Sequence, residues 1–127
     1  MTTTVLIVDD SKLARLVAAK LLRQVKPDWD VVEAANADAA AAMVGERRID
    51  VALLDFNMPG RDGLELAADL RAANPGMPIA VVSANIQDEI IARSRGVGAT
   101  FLPKPLTEEA LAGFVSGAAL RLRRAAP

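Results

Sequence analysis

Cysteine and histidine are both absent from this 127-residue chain. Without cysteine there is no disulfide, no thiolate metal site and no Cys nucleophile, which fits a reducing compartment. Without histidine there is no Ser-His-Asp or Cys-His machinery, no imidazole metal ligand and no phosphohistidine on this chain. An excess of either charge is missing too. The formal net charge is -1, which makes no electrostatic case for nucleic acid or an anionic membrane as a partner. No apolar run approaches the roughly 18 residues of a membrane span, and the start at Met1 lacks the basic and apolar regions of a signal peptide, so the expected compartment is the cytoplasm. Nothing matches a G-x-x-x-x-G-K-[ST] phosphate cradle, which argues against nucleotide binding.

What is present suits one compact domain spanning residues 1–127: 52% of residues are hydrophobic and 24% charged. Thr4 to Val8 is a short continuous apolar run, the pattern of a strand covered on both faces, and it ends in Asp9 and Asp10. Ser11 can cap a helix whose Leu13, Leu16, Val17, Leu21 and Val25 recur at helical spacing, with Lys12, Arg15 and Arg23 left for water. Trp29 to Ala34 reads as a second, more polar strand, its Trp a packing residue. Asn36 then caps an Ala-rich helix that stops near Gly45.

The third strand, Val51 to Leu54, runs into Asp55 and a loop holding Asn57, Pro59, Gly60 and Gly63. A helix with Leu64, Ala67 and Leu70 on one face follows, closed by Asn74, Pro75 and Gly76. Ile79 to Val82 is the fourth strand and finishes at Ser83. Ile86, Ile90 and Ile91 suggest a helix of weak propensity ending near Gly96, and Gly98 to Leu102 is a brief fifth strand. After Pro103, Lys104 and Pro105, Thr107 caps a last helix with Leu111, Phe114, Val115, Ala118 and Leu122 on its buried stripe.

Five strands alternating with five helices imply a parallel sheet with helices on both faces, because each parallel pair needs a right-handed crossover. All strand C-terminal ends then share one edge. On it fall Asp9 and Asp10, Asp55, Ser83 and Lys104. Any one of them is an ordinary turn or capping residue. Three carboxylates brought together repel, and a cation among them is the simplest remedy. With only oxygen donors available a hard ion is favoured, Mg²⁺ foremost. Lys104 can neutralise the cluster or pair with a phosphoryl group.

These motifs resemble the receiver domain of two-component response regulators, most of all the single-domain chemotaxis type. The resemblance rests on V-L-I-V-D-D-S at Val5 to Ser11, L-L-D-F-N-M-P-G-R-D-G at Leu53 to Gly63, V-V-S-A at Val81 to Ala84, and F-L-P-K-P at Phe101 to Pro105. It implies a flavodoxin-like doubly wound (βα)5 three-layer sandwich with a five-stranded parallel sheet of order 2-1-3-4-5, an order that the handedness and crevice rules for such sheets accommodate. It also implies that Asp55 is the phosphoacceptor. By the same resemblance Asp10 and Asp55 would hold Mg²⁺ (or Mn²⁺) through carboxylates, Asn57 through its backbone carbonyl and Asp9 through water. The resemblance further implies that Lys104 and Ser83 would bind phosphoryl oxygens, that Lys104-Pro105 would be cis, and that Phe101 would turn inward to change the surface of the fourth helix, fifth strand and fifth helix. Phe101 stands where Tyr is frequent, and Ser83 where Thr is also common.

The partners so implied are a histidine kinase or histidine phosphotransfer protein and a downstream protein target, with the chain a monomer or weak dimer and not itself an enzyme. Two alternatives accompany this reading. One is a receiver fragment of a larger regulator whose output domain is missing. The other is a small Mg²⁺-dependent phosphatase with an Asp nucleophile, disfavoured because Asn57 stands where a second acidic side chain is wanted.

Overall fold

Strands and helices alternate without exception in the computed structural model, which describes residues 2–125: β1 (Thr4–Val8), α1 (Lys12–Val25), β2 (Asp30–Ala34), α2 (Ala37–Glu46), β3 (Val51–Asp55), α3 (Gly63–Ala73), β4 (Ile79–Ser83), α4 (Asp88–Gly96), β5 (Thr100–Pro103) and α5 (Glu108–Ala125). The strands form one parallel sheet of order β2-β1-β3-β4-β5. This is the flavodoxin-like doubly wound arrangement, and its order reverses between β1 and β3.

Period-two alternation in the three central strands builds two cores at once. Val5, Ile7, Val51, Leu53, Ala80 and Val82 point to the side of α1 and α5, where they meet Leu22, Leu111 and Val115. Leu6, Val8, Ala52, Leu54, Ile79 and Val81 point to the side of α2 and α3, where they meet Ala40, Leu66 and Leu70. Trp29 is buried in the first of these cores, with the Lys26 ammonium 5.5 Å from its ring centre.

Local signals set the helix ends. Ser11, Asn36 and Thr107 each accept a backbone N–H three residues on. Asp62 does the same for α3 and forms a capping box with Glu65. Among the described residues no helix is long and apolar enough to cross a membrane.

Three expectations need correction. On α1 the buried residues are Ala18, Ala19 and Leu22, while Leu13, Leu16 and Val17 are 71%, 50% and 49% exposed, and Leu21 and Val25 are half-buried. Two apolar stripes compete on this helix, and the sheet takes the one with small side chains, which permits a closer approach. Ile86 precedes α4 and is exposed, because Asn85 ties the chain into a turn by accepting from the Gln87 N–H; only Ile90 and Ser94 of that helix are buried. Finally, β5 begins at Thr100. Gly98 has φ of 71° and closes the end of α4 as a left-handed turn, so it cannot extend the strand.

Candidate functional site

The first carboxylates come from the turn after β1. Asp9 is buried and Asp10 exposed. Three polar groups of Asp9 are engaged: its N–H donates to the Ala34 carbonyl at 3.2 Å, its Oδ1 accepts the Ser11 N–H at 2.9 Å, and its carbonyl accepts Nη1 of Arg15 at 2.7 Å. Burial pushes the Asp9 carboxyl above the ordinary carboxylate range, and the neighbouring Asp55 and Asp10 push the same way; the Ser11 N–H and the Lys104 ammonium offset part of this.

Asp55 is the last residue of β3 and is buried. Its strand is held on both sides, with Asp55 in register with Val82 of β4 and Val8 of β1 paired to Leu54. One carboxylate oxygen each from Asp9, Asp10 and Asp55 lies within 4.8 Å of the others. Nζ of Lys104 sits 2.7 Å from Oδ1 of Asp55 and supplies its counter-charge, although no aligned hydrogen bond reaches that oxygen. The all-oxygen donor set suits a hard divalent cation.

Lys104 is placed by its own backbone. Its N–H donates to the Ser83 carbonyl at 3.0 Å, and the Lys104-Pro105 peptide is cis. Ser83, fully buried at the end of β4, accepts the Asn85 N–H on its Oγ at 3.0 Å. Phe101 lies half-buried in β5, in register with Val81. Asn57 is exposed in the loop after β3. All the expected site residues therefore fall on the C-terminal edge of the sheet except Phe101, which sits two residues before the end of β5.

The β3–α3 loop is closed by a backbone approach that leaves no space for a side chain. The Gly63 N–H donates to the Phe56 carbonyl at 3.0 Å, and a Cβ on Gly63 would stand 2.3 Å from the Asp55 carbonyl oxygen. Beside Asp55 a groove of about 330 Å³ opens, bounded by Leu13, Val17, Pro105 and Leu106.

Sequence reasoning missed Arg15, which it left for water. Arg15 turns toward Asp9 and pairs with Glu33 at 3.0 Å. The available signal was a cation one turn into a helix, at the end where the macrodipole disfavours positive charge.

Comparison with known proteins gives a consistent answer. Residues 5–116 match the family model described as the response regulator receiver domain. The positive alginate biosynthesis regulatory protein of Pseudomonas aeruginosa is 39% identical over 111 residues, covering 85% of this chain and 44% of that protein. The probable transcriptional regulatory protein TcrX of Mycobacterium tuberculosis is 32% identical over 108 residues, covering 84% of this chain and 45% of its own length. The chain thus spans less than half the length of these relatives. Among solved structures, chemotaxis protein CheY4 of Vibrio cholerae superimposes with a TM-score of 0.83 at 29% identity, covering 93% of this chain and 99% of that one.

Proposed function

The chain belongs to the response regulator receiver domain family, and on that premise we propose that residues 1–127 act as a single receiver unit whose phosphoacceptor is Asp55. The observation that supports this most is the meeting of Asp9, Asp10 and Asp55 within 4.8 Å, with the Lys104 ammonium 2.7 Å from Asp55. A site of this kind accepts a group and holds it, so the chain serves as a signalling switch and not as an enzyme that turns over a substrate.

A carboxylate oxygen of Asp55 attacks the phosphorus of a phosphohistidine on a partner histidine kinase or histidine phosphotransfer protein. The P–O bond forms as the P–N bond breaks, and the donor imidazole leaves with the electron pair. Mg²⁺, with Mn²⁺ as the alternative, would be held by the carboxylates of Asp10 and Asp55, the Asn57 carbonyl and, through water, Asp9. Such an ion offsets the negative charge on the transferring group. The exposed Leu13, Leu16 and Val17 beside the groove offer an apolar surface on which the donor protein docks.

Once Asp55 is phosphorylated, the Lys104 ammonium exchanges its carboxylate partner for a phosphoryl oxygen. Ser83 keeps its hydroxyl hydrogen while accepting from Asn85, and donates it to a second phosphoryl oxygen. The β4–α4 loop draws in and Phe101 turns inward, which alters the surface of α4, β5 and α5. Helix α4 is suited to respond, because only Ile90 and Ser94 anchor it by burial. A downstream protein reads that surface, and the cytoplasm is the expected setting.

The test is incubation with Mg²⁺ and a small acyl-phosphate donor, followed by intact mass. The native chain should gain one phosphoryl adduct, and Asp55→Asn or a chelator should abolish it. The same adduct on Asp55→Asn would refute the assignment of Asp55.

A further inference from the structure

Among the described residues Arg15 is the one cation placed on the backbone of the acidic turn, and its position works against the helix that carries it. It lies one turn inside the N-terminal end of α1, where the macrodipole disfavours positive charge, and no acidic residue of that first turn compensates. Its side chain is nonetheless only 15% exposed. The guanidinium forks: Nη1 donates to the Asp9 carbonyl at 2.7 Å and Nε to Glu33 Oε1 at 3.0 Å. Glu33 belongs to β2 and pairs in register with Ile7, two residues before Asp9. The turn is therefore tied to the neighbouring strand twice, once by the Asp9 N–H to Ala34 and once through Arg15 to Glu33.

These ties differ in what they hold. The Ser11 N–H fixes the Asp9 carboxylate, whereas Arg15 holds the carbonyl of the Asp9–Asp10 peptide and so sets the plane from which Asp10 projects. We infer that Arg15, oriented by Glu33, is a positioning residue that holds the Asp9–Asp10 peptide so that the exposed Asp10 carboxylate faces Asp55. This rests on the reading of Asp10 and Asp55 as ligands of a divalent cation. A planar, forked donor is needed, because one ammonium cannot serve two acceptors in these directions with the same rigidity.

Positioning and charge predict opposite signs. Removing a cation bonded to the Asp9 carbonyl makes the local potential more negative, so a pure field effect tightens Mg²⁺ binding. Loss of positioning weakens it by about tenfold, the scale on which groups orienting metal ligands act. The experiment is calorimetric titration of the full chain with Mg²⁺ alone, for the native protein, Arg15→Gln, Arg15→Lys, Glu33→Gln and the Arg15→Gln/Glu33→Gln pair, together with amide exchange at Asp9 and Ser11. Arg15→Gln should bind about tenfold more weakly and exchange faster at both amides. Arg15→Lys should recover only part of the affinity despite its charge, Glu33→Gln should weaken binding less than Arg15→Gln, and the double variant should be no weaker than Arg15→Gln.

Unchanged or tighter binding by Arg15→Gln, or full affinity in Arg15→Lys, overturns the inference and leaves the metal reading intact. No Mg²⁺ binding by the native chain, or binding indifferent to Asp10→Asn, overturns both. Should Arg15→Gln fail to fold, Arg15→Lys and Glu33→Gln decide by the same signs.

Discussion

Replacing Gly63 by Ala probes the one place where the loop after the phosphoacceptor candidate has no room at all. The added Cβ would lie 2.3 Å from the Asp55 carbonyl oxygen, 2.9 Å from its carbonyl carbon and 3.0 Å from the Phe56 Cα, against ordinary contacts of 3.4–4 Å. All three are backbone atoms, so relief requires the Asp55–Phe56 peptide and the start of α3 to part by about 1 Å, the deficit in the shortest contact. Overpacking of this kind costs about 1–3 kcal/mol, and losing the Gly63 N–H bond to Phe56 adds about 1 kcal/mol. Better helix propensity returns at most about 1 kcal/mol. The net expectation is a loss of about 1–3 kcal/mol, or about 4–12 °C in Tm for a domain of this size. Urea unfolding followed by Trp29 fluorescence measures it, since that residue is buried in the opposite core. Phosphoryl uptake should also slow, by up to about 100-fold, because the nucleophile is displaced with its peptide. Gly113→Ala is the control: nothing lies within 4 Å of its Cβ position, so it should stabilise α5 by up to about 1 kcal/mol. If Gly63→Ala proves as stable as the native chain and accepts phosphate at the native rate, the close approach does not hold Asp55.

Further outcomes follow from single groups. Lys104→Met leaves the buried Asp55 carboxylate without its counter-charge and should cost about 2 kcal/mol in metal-free urea unfolding, below the range for fully buried pairs because Lys104 is a third exposed; saturating Mg²⁺ should recover part of this, and an identical loss with and without Mg²⁺ would contradict it. Asp9 has a folded-state pKa raised above its ordinary 3.8 by burial, so ionising it works against the fold. Its favourable contribution is complete below pH 3.8 and is lost as pH rises through the raised value. Metal-free Asp9→Asn should therefore be more stable than the native chain at pH 7, with the gain shrinking toward pH 4; a gain independent of pH would sink this account. Arg71 donates to the carbonyls of Pro75, Met77, Val97 and Gly98 and so ties the α3–β4 turn to the end of α4. Arg71→Met should lower stability by about 3 kcal/mol and speed amide exchange around Gly98, and a loss under about 1 kcal/mol would show the acceptors to be satisfied by water.

Much of this protein was legible along the chain because its signals are local. Continuous apolar strands, each followed by turn chemistry and an amphipathic helix, are enough to require a parallel sheet and to send Asp9, Asp10, Asp55, Ser83 and Lys104 to one edge. The family resemblance then supplied the strand order, which periodicity cannot. Errors arose where one stretch offered two answers of similar local merit. On α1 the larger side chains, Leu13, Leu16 and Val17, outweigh the Ala18, Ala19 and Leu22 face in any hydrophobic count, yet only the fold shows that the sheet accepts the narrow face. Residues whose importance lies in a distant acceptor were invisible. The guanidinium of Arg15 finds Glu33 across 18 positions, and that of Arg71 finds Val97 across 26. The sequence alone determined which chemical groups exist and which strand ends carry them, because those follow from residue type and period. Only the tertiary structure decided which helix face is buried, which cation reaches which carbonyl and how closely Gly63 approaches Asp55, because those depend on distances that the packed sheet creates.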